Sequence, residues 1–394
     1  MTLKAMRTID RFAGIPLCWI TGIWLSLSDR RYTPQPSATL SSVLVMKFFG
    51  LGSLLLSTPF LSALRRFHPD TKIIYLTFES NRTLLDRLPQ PDIRLTISTA
   101  SARSFLRTAI SALRTIRRKN VQVVFDLEFF SKFSTLVSAL SRSPVRVGYE
   151  LPARWRRMNL THPVPLEHAA HVTEVFLNQL KAVVPSGIAC PPVTSLGATH
   201  AERISMQQKL SLGANGARVI SVNINAGATS YERRWDPRRF VSLVNTIRAR
   251  DAHSRFFFVG SRHERSYVEH ALQHDPDLRA CATNCAGDLT LGELIALLQR
   301  SEFLLTNDSG TMHIAAAAGT RVVALFGPES PRLYGPSGIS RVIYKAIPCS
   351  PCLNVYTAKL FACPYDAQCM KEILVEEVVE AVEQIRSETT AAWI

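Results

Sequence analysis

The chain is short of acid. Its 394 residues hold 46 Lys and Arg against 31 Asp and Glu, a net charge of +15. The basic excess implies an anionic partner: a nucleic acid, a phosphorylated substrate or a membrane surface. It also lacks an apolar run long enough to span a bilayer, which takes ~20 residues. Its best candidate, Phe12–Leu27, has sixteen uncharged residues. Eight cysteines in so long a chain are too few for a disulfide scaffold. No short-period repeat is present, and neither a Gly-x-Gly-x-x-Gly fingerprint nor a Walker loop follows the first apolar strand. There is no RNA- or DNA-binding motif, and the basic residues interleave with apolar helix faces rather than aromatic stacking platforms, so we expect no nucleic-acid partner. What remains is a globular composition, 46% hydrophobic and 20% charged. That excludes a disordered chain, a collagen and a coiled coil, and the length suits two or three domains.

The uncharged run has Arg7 and Arg11 before it, Arg30 and Arg31 after it, and Trp19 and Trp24 inside it. Such a segment fits an interfacial or re-entrant membrane anchor. A buried amino-terminal helix and an export signal are the rival readings. No clean small-x-small site follows, and the basic pair after the run disfavours export. Residues 32–42 are rich in Pro and Ser and read as a linker.

Strands and helices then alternate. Apolar β-type runs occupy 43–49, 72–78 and 121–127, with a helix expected over 53–67. Residues 101–119 form an amphipathic, acid-free helix. Leu106, Ala109, Ile110, Leu113 and Ile116 lie on one face, and Arg103, Arg107, Arg114 and Arg118 on another. The basic face suits anionic lipid or a lipid-linked phosphate, or is an ordinary solvated face. A Pro/Gly/Ser-rich break at 185–217 precedes a second alternating unit, with strands at 218–224, 255–260, 303–308 and 321–327. Helices follow at 238–250 and 370–387. This pattern predicts two doubly wound α/β domains facing a cleft, with ligands at the carboxyl ends of the strands.

Five places can carry chemistry. After the first strand, Gly50-Leu51-Gly52-Ser53 lets backbone approach a ligand at a helix start. After the strand at 303–308, Asp308-Ser309-Gly310-Thr311 opens an Ala-rich helix that includes His313. Its free N–H groups and hydroxyls can hold phosphate oxygens, and Asp308 is an N-cap candidate. Thr229 and Arg233 lie in a loop ahead of Trp235, and Arg suits bidentate phosphate contacts. Glu264 follows another strand end and can accept from ribose hydroxyls. Cys349 and Cys352 have metal-ligand spacing, and Cys363 and Cys369 follow at an imperfect one. Metal, disulfides and free thiols all remain open.

Three stretches, Val43–Asp70, Thr306–Pro336 and Cys349–Met370, resemble glycosyltransferase family 9, the heptosyltransferase family, in its order and in both halves. The resemblance implies a GT-B fold with residues 43–200 as the acceptor domain and 201–369 as the nucleotide-sugar domain. Residues 1–42 are then an anchor and linker, and 370–394 a closing helix. It implies an inverting transfer from a nucleotide sugar, ADP-heptose among them, with no cofactor or metal required. The acceptor is then an anionic lipid-linked glycan of lipopolysaccharide assembly, on the cytoplasmic face of the inner membrane. Asp308, Ser309, Gly310 and Thr311 match the family's diphosphate loop, and His313 its histidine near the phosphates. Arg233 stands where a phosphate-binding Lys is common. Glu264 matches the ribose-binding acid, and Thr229 lies in a loop near the phosphates.

One position departs. The family's Gly-Asp after the first strand, whose Asp is the proposed general base, is Gly52-Ser53 here. A serine of ordinary pKa cannot take that role. Glu128 and Asp126, at the end of the strand over 121–127, are the nearest carboxylates by topology. The alternative is a catalytically silent binder of nucleotide sugar or glycan.

Overall fold

The structure, a computed structural model, describes residues 10, 12–28, 40–184, 188–213, 217–227, 230–354 and 362–388. It divides into two compact units, Met1–Thr194 and Ser195–Ile394. The division falls six residues before the expected boundary at 200. The closing helix packs within the second unit, and the amino-terminal helix within the first.

The strands of the first unit are β1 (Ser42–Met46), β2 (Lys72–Phe78), β3 (Ile93–Ile97), β4 (Val123–Asp126), β5 (Val145–Glu150) and β6 (His162–Pro165). They form one sheet in the order β3-β2-β1-β4-β5-β6. Every neighbouring pair is parallel, for instance Val43 opposite Ile73 and Val123. Among its helices are α1 (Gly14–Ser28), α2 (Leu51–Leu56), α3 (Thr58–Phe67), α4 (Ala102–Arg118), α5 (Lys132–Leu140), α6 (Arg154–Arg157) and α7 (Val172–Leu180). The single helix expected over 53–67 is thus two. The chain breaks at Ser57, before Thr58-Pro59, because Pro is tolerated only in a helix's first turn.

The second unit repeats the plan. Helix α8 (His200–Lys209) leads into β7 (Arg218–Asn223), α9 (Pro237–Arg250), β8 (Ser254–Phe258) and α10 (Arg265–Leu272). Then come β9 (Ala282–Asn284), α11 (Leu291–Arg300), β10 (Phe303–Asn307), α12 (Gly310–Ala317), β11 (Arg321–Phe326), β12 (Ser340–Tyr344) and α13 (Val375–Ser387). The sheet order is β12-β11-β10-β7-β8-β9, again parallel throughout. Its core joins Trp235, Phe240, Phe256 and Phe258 to Val378, Val382 and Ile385 of α13. Strands buried on both faces explain the continuous apolar runs in the sequence.

The amino-terminal run does form a helix, but it lies on the first unit, against α5 and α6. Gly14, Cys18 and Gly22 face inward at four-residue spacing. A Cβ at Gly14 would come within 2.7 Å of Lys132 Cβ, and one at Gly22 within 2.8 Å of Met158 Cβ, so only glycine allows this approach. Asn159 fastens the seam, its Nδ2 donating to Cys18 O (2.9 Å) while its Oδ1 accepts from Thr21 (2.9 Å). No helix among the described residues is long and apolar enough to cross a membrane. Most of the linker at 32–42 lies outside the described residues.

Candidate active site

In the second unit the polar residues gather where β7 and β10 end. Buried Asn307 accepts from Trp235 N (3.1 Å) and donates to Ile224 O (2.8 Å). Trp235 is fully buried, and its Nε1 donates to Ile373 O (3.0 Å). That places Arg233, two residues earlier, over the end of β10. Its Nη1 donates to Asp308 Oδ2 (3.0 Å) and its Nη2 to Ala226 O, while the buried Nε has no partner. Arg234 beside it is held between the rings of Tyr231 (4.4 Å) and Tyr267 (4.1 Å).

Asp308 is not the cap of α12. Ser309 is, in extended backbone, and no side chain caps the helix. The Ser309 hydroxyl is instead taken by Asn223 Nδ2 (2.9 Å) and Thr306 Oγ1 (3.1 Å). The first-turn N–H groups, with Gly310 and Thr311, therefore stand at the carboxyl end of the sheet without a side-chain acceptor. That is the requirement for an oxyanion site. Asp308 spends its charge on Arg233 and so orients the guanidinium. His313 is buried one turn further on.

Sequence reasoning missed Glu329. It follows β11, is 9% exposed, and accepts from its neighbour Ser330 N at 3.1 Å. Burial first, then the Asp308 charge, push its carboxyl up to about 8, with Ser330 N and Arg233 opposing. Its only sequence signal was a carboxylate between Gly327-Pro328 and Ser330-Pro331, at a strand end. Glu264 is half-buried and accepts from Ser261 N and Oγ, both 2.8 Å, through one oxygen, Oε2. Thr229 lies outside the described residues.

In the first unit the turn after β1 is built around Glu128. Its Oε1 accepts from Lys47 Nζ (2.8 Å), Phe48 N (2.6 Å) and Phe49 N (3.0 Å). Both ionic partners are buried. Gly50 then turns the chain at φ +83°, and α2 starts with Gly52 buried and Ser53 half-exposed. Asp126 is fully buried. It pairs with Arg156 (3.2 Å) and accepts from Ser134 Oγ (2.8 Å), and burial still raises its carboxyl to about 6. The two carboxylates thus hold the floor of the turn. Asp126 is taken up by Arg156 and Ser134, whereas Glu128 keeps Oε2 out of its three bonds.

No disulfide joins any of the cysteines among the described residues. Cys349, Cys352 and Cys363 are half-buried, Cys369 is buried, and Ala367 N donates to Cys363 Sγ at 3.3 Å. Burial, with Cys352, Cys363 and Cys349 adding, raises the Cys369 thiol to about 11. Among the described residues no three His, Cys, Asp or Glu are grouped to hold a metal ion. The candidate cluster of Cys349, Cys352, Cys363 and Cys369 is therefore not assembled as a metal centre.

Two parallel-sheet Rossmann-like units, the second with an uncapped helix start and an arginine over its switch point, give a GT-B-like architecture. The particular family follows from comparison. The model of "Glycosyltransferase family 9 (heptosyltransferase)" matches residues 110–360, and the chain belongs to that family. It is 27% identical over 288 residues to lipopolysaccharide heptosyltransferase 3 of Escherichia coli (strain K12), covering 70% of this chain and 79% of that one. Among solved structures it is similar to a family 9 glycosyltransferase from Veillonella parvula, with TM-score 0.72 and 21% identity, covering 89% of this chain and 99% of that one. It is also similar to the ADP-heptose lipopolysaccharide heptosyltransferase II of E. coli, with TM-score 0.68 and 20% identity, covering 88% and 98%.

Proposed function

We propose that the protein is an inverting, metal-independent glycosyltransferase of GT-B architecture. It moves heptose or a similar sugar from an ADP-linked donor to a lipid-linked lipopolysaccharide-core or related envelope glycan. The transfer takes place at the cytoplasmic face of the inner membrane. The observation that carries this reading is the joint placement of Arg233, held by Asp308, and the uncapped start of α12. An acceptor hydroxyl attacks the anomeric carbon, and the bond to the nucleoside diphosphate breaks on the opposite face. Negative charge grows on the departing diphosphate. A fixed guanidinium and fixed N–H dipoles stabilise that charge without reorganising. Glu264 accepts from the ribose. On the acceptor side Glu128 receives the hydroxyl proton through Oε2, while Lys47 and the Phe48 and Phe49 amides hold Oε1.

A second reading has its own support: Ser53 replaces the family's base, and Glu128 is tied to Lys47. On that reading the chain binds donor and does not turn over. Titration calorimetry with ADP-heptose and transfer to a lipid-linked core glycan separate the two. The enzyme reading expects donor binding that Arg233→Ala weakens at least about tenfold, plus transfer that Glu128→Gln abolishes. Binding without transfer selects the silent reading. No binding of any nucleotide sugar overturns both.

A further inference from the structure

The outward side of α1 is built opposite to that of a soluble protein's surface helix. Its small residues face in, at the glycine seam, joined by Leu25, and most of its large apolar ones face out. Leu17, Ile20, Ile23, Trp24 and Leu27 repeat at helical spacing on the exposed side, and Ile20 is 62% and Leu27 79% exposed. Phe12, just ahead of the helix, is exposed too. A helix on a soluble domain carries polar residues on that side.

The basic helix α4 shares a neighbour, α5, with α1. Its sequence places Leu106 and Ile110 on the apolar stripe, but only part of that stripe is buried. Ile116 and Ala112 enter the core, while Leu106 and Ile110 are exposed beside Arg103 and Arg107. Helix α5 touches both. Asp10, ahead of α1, accepts from Lys132 N and Phe133 N at the start of α5 (both 3.1 Å). The Phe133 ring packs on Phe105 of α4 at 4.9 Å. Arg117 of α4 reaches Leu140 O at the other end of α5. Eight of the fifteen large apolar side chains exposed among the described residues lie on α4, on α1 or just ahead of it.

We propose that this face, the outer side of α1 with the Leu106, Ile110 and arginine surface of α4, lies flat on a membrane of anionic phospholipid. Length supports lying rather than crossing. Fifteen residues make a helix of about 22 Å, short of the ~30 Å hydrocarbon core. Charge decides the occupant. Arg103, Arg107, Arg114 and Arg118 are exposed on α4, and the helix has no acid. A second copy seated on the same face would set these arginines against their equivalents, whereas phosphate headgroups neutralise them. The inference deepens the proposed function by fixing which side of the first unit meets the membrane, and it rests on that reading for the choice of membrane alone.

The test is sedimentation of the full chain, without nucleotide, with vesicles of phosphatidylethanolamine and phosphatidylglycerol or of phosphatidylcholine alone. The wild type is expected to pellet with the anionic vesicles. The double variant Ile20→Glu, Trp24→Glu should bind at least about tenfold more weakly. Leu27→Glu, at the exposed end of the helix, repeats the test where folding is least at risk. Arg103→Glu with Arg107→Glu should remove the anionic preference, by about thirtyfold or more. Circular dichroism verifies the fold of each. The proposal is overturned if the wild type stays in the supernatant with both vesicle types, or if the apolar variants bind unchanged. It is equally overturned if sedimentation velocity shows a wild-type dimer that Ile20→Glu, Trp24→Glu dissociates and that binds no vesicle. Donor binding is read separately, so the enzyme reading and the surface can each fail alone.

Discussion

Glu329→Gln isolates the energetics of the donor site in one substitution. Burial and the neighbouring Asp308 hold the Glu329 proton up to about pH 8, against an ordinary 4.5. Between those values the unfolded chain has released this proton and the folded chain has kept it. Stability from this group is therefore complete below pH 4.5 and falls as pH rises to 8. The span is about 3.5 pH units at about 1.4 kcal/mol each, a ceiling of about 5 kcal/mol. Water drawn in on ionisation lowers it, so a measured loss between about 1 and 5 kcal/mol is expected. Gln keeps the size and carries no titrating proton. Urea midpoints at pH 5, 7 and 9 should fall for the wild type relative to the variant and leave the variant the more stable at pH 9. Donor affinity should follow, because an ionised Glu329 beside Asp308 sets two negative charges against an incoming diphosphate. Parallel stability curves for the two proteins from pH 5 to 9 would refute the reasoning.

Other substitutions test the frame. Lys47→Met leaves Glu128 buried without its cation and should cost about 3–5 kcal/mol, read by chemical denaturation. Gly22→Leu drives a side chain into Met158 and should expose α1 to limited proteolysis, while the stability read by chemical denaturation falls by about 1–3 kcal/mol. Ser53→Asp restores the family's Gly-Asp pair. It should raise the transfer rate by about a hundredfold or more if the missing base limits turnover, and leave donor affinity unchanged.

The sequence showed the middle of each sheet and hid the rims. The apolar runs at 43–49, 72–78 and 121–127 correspond to β1, β2 and β4, and those at 218–224, 255–260, 303–308 and 321–327 to β7, β8, β10 and β11. The strands it did not show include all four edges, β3, β6, β9 and β12. Ile93–Ile97 carries Arg94 and Thr96, and β6 reads His-Pro-Val-Pro. One open side lets polar residues and proline into such strands, so the continuous apolar signal is lost. β5, interrupted by Arg146 and Gly148, was hidden for a related reason. At the site, Arg233 and the start of α12 were readable because backbone turns and helix starts leave local signatures. The engagement of Glu128 by Lys47, the pairing of Asp126 with Arg156, and the burial of Glu329 depend on residues distant in sequence. Spacing carried no trace of them.

Trp235 has a consequence for how the donor is received. Its backbone is tied to Asn307, its ring is sunk among core aromatics, and its indole N–H is fixed to Ile373 just ahead of α13. The Arg233 loop is thereby nailed to the domain at a point two residues from its working guanidinium. A loop free in solution would have to be ordered each time a donor arrived, and that ordering would subtract from affinity. Here the ordering is completed once, when the polypeptide folds. Changes at the α9–α13 seam, far from any phosphate, should accordingly surface as weakened donor capture rather than as lost chemistry.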